Sequence, residues 1–378
     1  MDPAVRAALA AVVPPVAAAP TLPPAVYVDP AVHALELDVL FRRGWVGIGR
    51  VDRWAEEGAF AAIEVGGVPI VVVRNADGLA AFANTCRHRG AEVARGEGTC
   101  RNLRCPFHGW TYALDGRLIG APEMARTEGF DKADHPLPAA AVAEHAGFAF
   151  VSLDPEPPPL SEWLGDVDAF HRAWPLASLR TGRRREFEVG CNWKTFCEVF
   201  NEYYHLPYVH PDSIDATYLA PDDADKTNGH YATQFGATTS TGALLEGDKG
   251  DALPDMPGLA GREATGARYT WLFPNMTFAV GNDSVWMYET HPIAPDRTRV
   301  VQTVCFPPET FGVDGFDATA QRYYDRMDLA IGEDIPLLES QQRGLASPFA
   351  RPGRFSHLEP SVGAFAIWYA ERMLAATA

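Results

Sequence analysis

The chain has 378 residues, more than one compact core accommodates and enough for two domains. Its formal net charge of −17 argues against nucleic-acid binding and against a polybasic membrane anchor. Six cysteines, in no disulfide-like pattern, indicate reduced thiols and a reducing, cytoplasmic compartment.

The first part of the chain, residues 1–40, is expected to form an arm followed by a helix. There is no basic leader of the signal-peptide type and no uncharged span of transmembrane length. From Pro30, apolar residues at helical spacing predict a helix over residues 30–45. Before it, an extended arm is predicted, because prolines break helices and this stretch contains Pro14, Pro15, Pro20, Pro23 and Pro24. The arm is expected to pack on a neighbouring subunit.

Short segments rich in Val and Ile predict a first, mostly β domain over residues 41–157. Gly66-Gly67 and Asp115-Gly116 have the composition of hairpin turns. The proline-rich stretch 154–159 predicts the boundary of this domain. Strands are expected at residues 46–50, 60–65, 68–74, 79–84, 110–114 and 147–153.

Two mixed cysteine–histidine pairs lie on loops of this domain. Cys86 and His88 form a C-x-H pair, and Cys105 and His108 form a C-x-x-H pair. Two thiolates and two imidazoles suit a [2Fe-2S] cluster in which histidines replace cysteines on one iron and raise the potential. A Cys2His2 zinc site is the alternative, but zinc fingers pair cysteine with cysteine and histidine with histidine.

The stretches CRHRG (86–90) and CPFHGWTY (105–112) resemble the Rieske motif of the Rieske non-heme iron oxygenases. The resemblance extends from about residue 25 to the C-terminus. It implies an all-β Rieske domain followed by an α+β, START-like helix-grip catalytic domain, in which a curved antiparallel sheet surrounds a long helix. It also implies a second cofactor, a mononuclear Fe(II), with O2 as co-substrate.

The second domain, residues 158–378, begins with a predicted connecting helix at 161–179. A helix over residues 193–205 would place Glu198, Glu202 and His205 on one face. Because Pro207 disturbs this helix, His210 can turn back beside His205. Two histidines and a distant carboxylate would form the site of an oxygen-activating Fe(II) enzyme. Taken alone, the same spacing also describes two partly exposed histidines at a helix end.

The carboxylate is sought on a long amphipathic helix predicted at residues 317–346. Glu333 and Asp334 interrupt its apolar side, and an acid among core residues must be paired or metal-bound. In the family that the chain resembles, the third iron ligand is an Asp in an E-D-x-x-x-x-E setting. Asp334 and Glu339 match this setting, and a solvated acidic turn is the other interpretation.

Between these helices, strands are predicted at residues 230–240, 267–280, 284–293 and 298–306. The stretch 212–262 is rich in Asp, Gly and Pro and predicts a surface loop or a lid. The aromatic candidates for lining a substrate pocket are Phe200, Tyr204, Trp271, Phe278, Trp286 and Tyr288.

The resemblance further implies a flow of electrons and an assembly. Electrons come from NAD(P)H through a separate flavin/iron–sulfur reductase or ferredoxin and pass through the cluster to the iron. Family members form head-to-tail homotrimers, in which a carboxylate bridges the histidines of the two metal sites across the interface. Glu202 holds that catalytic position, and Glu there resembles the carnitine, choline and glycine-betaine monooxygenase subgroup. At Val199 the chain departs from relatives, which commonly have Asn.

We therefore predict a terminal oxygenase that hydroxylates or oxidatively N-demethylates a small organic substrate, with a quaternary ammonium compound such as a betaine or carnitine favoured. Ring hydroxylation of an aromatic acid is the alternative, since aromatic side chains bind both cations and rings. More distant is a Rieske electron carrier with a ligand-binding domain, which would hold about two iron atoms per chain instead of about three. No nucleic-acid or membrane partner is expected.

Overall fold

The structure, a computed structural model, describes residues 1–377 and divides into two units. The smaller unit contains residues 41–157, and the larger unit contains residues 1–40 together with 158–378. The N-terminal segment therefore folds with the part of the chain that follows the smaller unit. None of the helices in residues 1–377 is both long and apolar enough to cross a membrane.

The N-terminal segment contains two helices before residue 30, where the sequence predicts an extended arm, and a third within the helix predicted over residues 30–45. Asp2 and Asp29 each cap a helix by accepting a hydrogen bond from the backbone N–H two residues later. A proline follows each cap in the first helical turn, where its missing N–H is not needed, so these prolines begin helices. The helices are α1 (Pro3–Leu9), α2 (Ala25–Val28) and α3 (Pro30–Glu36), the last continued by a π-helical segment over Leu37–Arg42.

This segment packs on its own chain, and the expected contact with a neighbouring subunit stays a prediction. Arg6 donates a hydrogen bond to the carbonyl of Leu374 at 3.3 Å. The carbonyl of Tyr27 accepts hydrogen bonds from the side-chain amides of Asn192 and Gln342, each at 3.1 Å. The N-terminal helices are thereby joined to the region that holds the second set of predicted ligands.

The smaller unit consists of a seven-stranded and a three-stranded antiparallel sheet. Val65 and Val68 pair across the turn Gly66-Gly67, whose φ values of 55° and 77° favour glycine. The predicted strands are present with small shifts at their ends, except that 110–114 retains only two strand residues. The strands are β1 (Val46–Arg50), β2 (Ala59–Val65), β3 (Val68–Asn75), β4 (Gly78–Ala83), β5 (Glu97–Thr99), β6 (Leu103–Arg104), β7 (Thr111–Tyr112), β8 (Leu118–Gly120), β9 (Ala139–His145) and β10 (Phe148–Ser152). The first sheet has the order β1-β10-β9-β4-β3-β2-β5, and the second has the order β6-β7-β8.

The larger unit contains a seven-stranded antiparallel sheet and a long helix packed on it. Its elements are α4 (Leu160–Leu164), α5 (Val167–His171), β11 (Arg180–Val189), α6 (Trp193–Phe200), α7 (Leu206–Val209), β12 (Tyr218–Pro221), β13 (Tyr231–Thr238), β14 (Gly266–Leu272), β15 (Met276–Val280), β16 (Val285–Ala294), β17 (Arg297–Phe306), α8 (Phe316–Leu345) and α9 (Pro360–Ala375). The sheet has the order β11-β17-β16-β15-β14-β13-β12.

The core of this unit lies between the sheet and α8. Met327 and Ile331 of α8 join Trp286 and Val304 of the sheet in one buried cluster. This packing places successive turns of α8 along the inner face of the sheet. An all-β unit and an α+β unit with a sheet around a long helix confirm the predicted fold class.

Candidate functional site

Two loops with a shared hydrogen-bond pattern carry the four predicted cluster ligands. Gly90 N–H donates to the carbonyl of Cys86 at 2.9 Å, and Gly109 N–H donates to that of Cys105 at 3.1 Å. Both glycines have positive φ, 78° and 73°, so each loop turns back in the left-handed region. Both cysteines are buried and outside any disulfide, whereas His108 is exposed.

The loops bring the two histidines together. The rings of His88 and His108 lie edge to face with centroids 4.6 Å apart, and His88 also stacks on Trp110 at 5.0 Å. His88 Nδ1 is buried with no hydrogen-bond partner in residues 1–377. A buried nitrogen without a partner is costly unless a ligand or metal satisfies it, so this loop pair fits a metal cluster.

A tyrosine hydroxyl lies within hydrogen-bond distance of one of the cysteine sulfurs. The backbone N–H of Arg87 donates to the hydroxyl oxygen of Tyr112 at 3.0 Å, and the same hydroxyl lies 3.4 Å from Cys86 Sγ. With its oxygen accepting from the backbone, the hydroxyl can donate its proton to the sulfur. Burial raises the pKa of the Cys105 thiol, so a thiolate there requires a cation beside it.

In the larger unit, His205, His210 and Asp334 come together as predicted. One potential ligand atom from each lies within 4.8 Å of the others. Asp334 Oδ1 is 3.0 Å from His210 Nε2 and 3.8 Å from His205 Nε2. It is nevertheless buried without an aligned hydrogen-bond partner in residues 1–377. An unsatisfied carboxylate oxygen between two imidazoles fits a divalent iron held by this triad.

Each triad histidine has a second carboxylate behind it. His205 Nδ1 lies 2.6 Å from Glu202 Oε1, and His210 Nδ1 lies 2.6 Å from Glu333 Oε2. A carboxylate at Nδ1 holds the proton on that nitrogen and leaves Nε2 free as a ligand. Burial alone would lower the pKa of His210, but the carboxylates of Asp334 and Glu333 outweigh it and raise that pKa.

The chain reaches this geometry through a break in the helix. Helix α6 ends at Phe200, so the prediction of one helix over 193–205 is wrong, as is the shared face for Glu198, Glu202 and His205. The Glu202 carboxylate instead accepts from the backbone N–H groups of Tyr204 and His205. Its side chain folds back over the loop and meets the His205 ring.

The two histidines flank the short helix α7. His205 stands at its N-terminal cap and His210 at its C-terminal cap, with ring centroids 5.1 Å apart. Pro207 occupies the first turn of this new helix, where proline is favoured. Glu198 points away and accepts a hydrogen bond from the Tyr27 hydroxyl at 2.7 Å.

A cavity of about 50 Å³ adjoins the triad. On the same measure one water needs roughly 10–15 Å³, so the space suits a small substrate. Three of the predicted pocket residues, Phe200, Trp286 and Tyr288, line it. The ring of Phe200 lies 5.0 Å from that of Tyr288 and 5.2 Å from that of Tyr269.

The other three pocket predictions lie elsewhere. Tyr204 points outward, with 49% of its surface exposed. Trp271 stacks on Phe365 of α9 at 3.9 Å. Phe278 pairs with Met287, so by strand alternation it faces the side of the sheet opposite to Trp286 and Tyr288.

The sequence reasoning missed two charged residues of this site. Glu333 lies 2.6 Å from His210 Nδ1 and 2.7 Å from the Ser213 hydroxyl, contacts that its position in an apolar run does not predict. Arg326 lines the cavity and is not among the predicted site residues. Its position eight residues before Asp334 on one predicted helix was the available signal, since residues four and eight apart lie near one face.

Two protein-family models match the chain. The Rieske [2Fe-2S] domain matches residues 44–133, which include both cysteine–histidine loops. The ring hydroxylating alpha subunit (catalytic domain) matches residues 176–375, which include the triad.

Similar proteins oxidise quaternary ammonium compounds. The glycine betaine monooxygenase oxygenase subunit of Chromohalobacter salexigens is 29% identical, with 94% of this chain and 86% of that protein covered. The chloroplastic choline monooxygenase of Beta vulgaris is 30% identical, with 93% and 77% covered. The crystal structure of the quaternary ammonium Rieske monooxygenase CntA with L-carnitine superposes with a TM-score of 0.78, at 25% identity over 94% of this chain and 96% of that one.

Proposed function

This chain belongs to the Rieske non-heme iron oxygenases, as an alpha subunit with a Rieske domain and a ring-hydroxylating catalytic domain, and from that we propose that it oxygenates a small quaternary ammonium compound. The observation that carries this proposal is the small aromatic cavity beside the triad. Aromatic ring faces attract cations, and Phe200, Tyr269 and Tyr288 supply such faces. The relatives named for glycine betaine, choline and carnitine support the same substrate class.

The enzyme uses a Rieske [2Fe-2S] cluster and a mononuclear iron with O2. We assign the cluster to Cys86, His88, Cys105 and His108, and the mononuclear iron to His205, His210 and Asp334. When bound, these groups supply electron transfer and oxygen activation. The chain's own residues hold the ligands in place, since Glu202 and Glu333 orient the two imidazoles and Tyr112 donates toward a sulfur.

Glu202 in this assignment is a positioning residue on the route of the electron. A depression of about 350 Å³ within the larger unit reaches Glu202 and His205 from the side of Leu22 and Glu359. It could receive side chains of a neighbouring subunit, and we infer a head-to-tail homotrimer in which Glu202 joins His205 to a cluster histidine of the next chain. One CntA structure is described in terms of inter-subunit electron transfer.

The test is aerobic turnover of the purified enzyme with a reductase and NADH. We expect consumption of glycine betaine, carnitine or choline, with formaldehyde or a hydroxylated product formed in step with NADH oxidation. Asp334→Asn serves as the control, because it keeps the cluster loops intact and weakens the iron site. Oxidation of aromatic acids alone would replace the proposal by ring hydroxylation. The electron-carrier alternative is excluded, because the chain contains the oxygenase catalytic domain.

A further inference from the structure

A buried arginine without a carboxylate partner lines the catalytic cavity. Arg326 is 3% exposed, and its side chain reaches the Tyr218 hydroxyl at 2.7 Å and the sulfur of Met327 at 3.3 Å. Its Nε has no hydrogen-bond partner in residues 1–377, and no Asp or Glu of that range forms a salt bridge with it. Two other largely buried arginines of this unit are paired, Arg183 with Asp328 and Arg268 with Asp225.

An unpaired guanidinium in the interior is energetically costly. Arginine cannot release its proton in a protein, so it cannot escape the cost by becoming neutral. The ring of Trp286, 5.3 Å from the guanidinium carbon, compensates part of the charge through its face. The rest requires an anion, because an isolated buried charge is otherwise stabilised only by pairing.

The same cavity contains other hydrogen-bond donors that have no acceptor in residues 1–377. The Tyr203 hydroxyl and the Trp286 indole N–H are buried without a hydrogen-bond partner in residues 1–377. Both residues line the cavity with Arg326. The Tyr218 hydroxyl can donate to the Gly242 carbonyl at 3.4 Å and accept from the Tyr269 hydroxyl at 2.7 Å, so these two hydroxyls add no free donor. An excess of donors around a fixed positive charge is suited to a carboxylate.

The arginine stands at a defined distance from the triad. Arg326 and Asp334 lie eight residues apart on α8, about 12 Å along the helix axis. Ala330 and Ile331 line the cavity between them. A substrate can therefore place an acid group at one end of the cavity and the carbon to be oxidised at the other.

We propose that the substrate carries a carboxylate, which binds to Arg326 while its methylammonium end faces His205, His210 and Asp334. This deepens the proposed function, on which the methylammonium end rests. It selects zwitterionic trimethylammonium acids over the corresponding alcohols. Arg326 is then the residue that determines specificity for the acid.

The test measures binding by isothermal titration calorimetry to the iron-loaded enzyme without reductase. The probes form two matched pairs, glycine betaine with choline and benzoate with benzyl alcohol, each acid differing from its partner by a carboxylate in place of an alcohol group. We expect the wild type to bind the better acid roughly 10- to 100-fold more tightly than its alcohol, since a hydrogen-bonded charge is lost in the alcohol. In Arg326→Gln this preference should disappear.

Two further variants distinguish a loss of the carboxylate preference from misfolding of the variant. Arg326→Lys keeps the charge but loses the fork of donors, so an intermediate preference is expected. Arg322→Gln is the matched control one turn earlier on α8, where the side chain is 40% exposed and bonds to Asp251, and it should retain the full preference. Each variant is checked for the visible absorbance of the cluster.

The outcomes separate the role of Arg326 from the choice of a quaternary ammonium substrate. An acid preference that is absent in the wild type, or that survives in Arg326→Gln, would overturn the role of Arg326. Failure of both acids to bind at millimolar concentration would do the same. Arg326-dependent binding of benzoate but not of glycine betaine would keep the carboxylate site and overturn the quaternary ammonium substrate.

Discussion

At the scale of single residues, two carboxylates outside the proposed triad contact its two histidines. Glu202 and Glu333 each sit 2.6 Å from the Nδ1 of one histidine, and that contact keeps the opposite nitrogen available. Glu333 is itself held by the Ser213 hydroxyl. Although Glu333 and Asp334 are adjacent on α8, we assign one to orienting a ligand and the other to binding iron.

Replacement of Glu333 by Gln should weaken iron binding without removing it. An amide can present its NH2 group to His210 Nδ1, which destabilises the tautomer that exposes Nε2. We expect mononuclear iron affinity to fall by roughly 10- to 100-fold, measured by chelator competition. Glu339→Gln, on the same helix but outside the triad, is the control, and equal iron affinity of the two variants would contradict the orienting role.

The second prediction concerns His108, which is exposed and which we assign to the cluster. His108→Cys adds a negatively charged thiolate in place of a neutral imidazole, so the reduction potential of the cluster should fall. Protein-film voltammetry measures it directly. His135→Cys places the same residue near Trp110 but outside the predicted ligands, and it should leave the potential unchanged. An unaltered potential in His108→Cys would remove His108 from the ligand set.

At the scale of elements, helix α6, which precedes the loop with the first triad histidine, is held by contacts with several other helices. Lys194 forms a buried ion pair with Glu36 of α3 at 2.5 Å, and Glu36 also accepts from Tyr369 of α9 at 2.5 Å. Glu198 near the other end of α6 accepts from Tyr27 of α2. Three helices thus hold α6 in place, and Asn201 caps its end by donating from its side-chain amide to the Cys197 carbonyl at 2.6 Å, just before the loop with Glu202 and His205.

Glu198 makes this arrangement sensitive to pH. Burial raises its pKa to about 7, against the lowering effects of the Tyr27 hydrogen bond and the Lys194 charge, and Glu359 raises it further. The folded state holds the proton of Glu198 more tightly than the unfolded chain does, so protonation of Glu198 stabilises the fold. This contribution to the free energy of unfolding is fully present below about pH 4.5 and is lost as the pH rises through about 7.

Replacement of Glu198 by Gln should therefore increase stability at alkaline pH. The amide keeps the carbonyl that accepts from Tyr27 and cannot ionise. We expect a gain on the order of 2–3 kcal/mol at about pH 8.5 and little change at about pH 5, measured by urea unfolding of the cluster-loaded enzyme. Equal effects at both pH values would show that Glu198 does not titrate in this range.

At the scale of the whole molecule, the proposed function requires an electron to travel from one metal site to the other. The larger unit presents Glu202 and His205 at the edge of its 350 Å³ depression. In the head-to-tail trimer that we propose, every chain can donate an electron to one neighbour and accept one from the other.

Slow electron transfer is the expected result of Glu202→Gln. The amide keeps the shape, but one end donates where the carboxylate accepts, so it cannot hold two imidazole N–H groups. Both metal sites should still load. Stopped-flow reoxidation of the reduced cluster with O2 and substrate should slow by at least tenfold, whereas rates like those of the wild type would leave Glu202 with a local role only.

A complementation experiment tests the inter-subunit route itself. Chains with Asp334→Ala lack the iron site, and chains with His108→Cys lack a cluster of suitable potential, so each alone should be inactive. Co-expressed as mixed trimers, they should recover about a quarter of the wild-type sites, because an intact iron site then adjoins an intact cluster of its neighbour. Complete inactivity of verified mixed trimers would place electron transfer within one chain.

The sequence by itself determined the features that depend on local spacing. Cys86 to His88 and Cys105 to His108 are short pairs in turn-forming loops, and a few backbone torsions decide their geometry. The same holds for the regular strands of the smaller unit and for the long helix that carries Asp334, whose hydrophobic periodicity is read within one element.

Only the tertiary structure decided how distant elements share the cavity. The position of helix α6 depends on contacts from α2, α3 and α9, which distant parts of the chain supply. The side of the sheet on which Phe278 lies depends on strand register. The contact between Glu333 and His210 joins residues far apart in the chain. Arg326 is buried and has no carboxylate partner within residues 1–377. Both facts are properties of the folded chain, so the sequence alone does not reveal them.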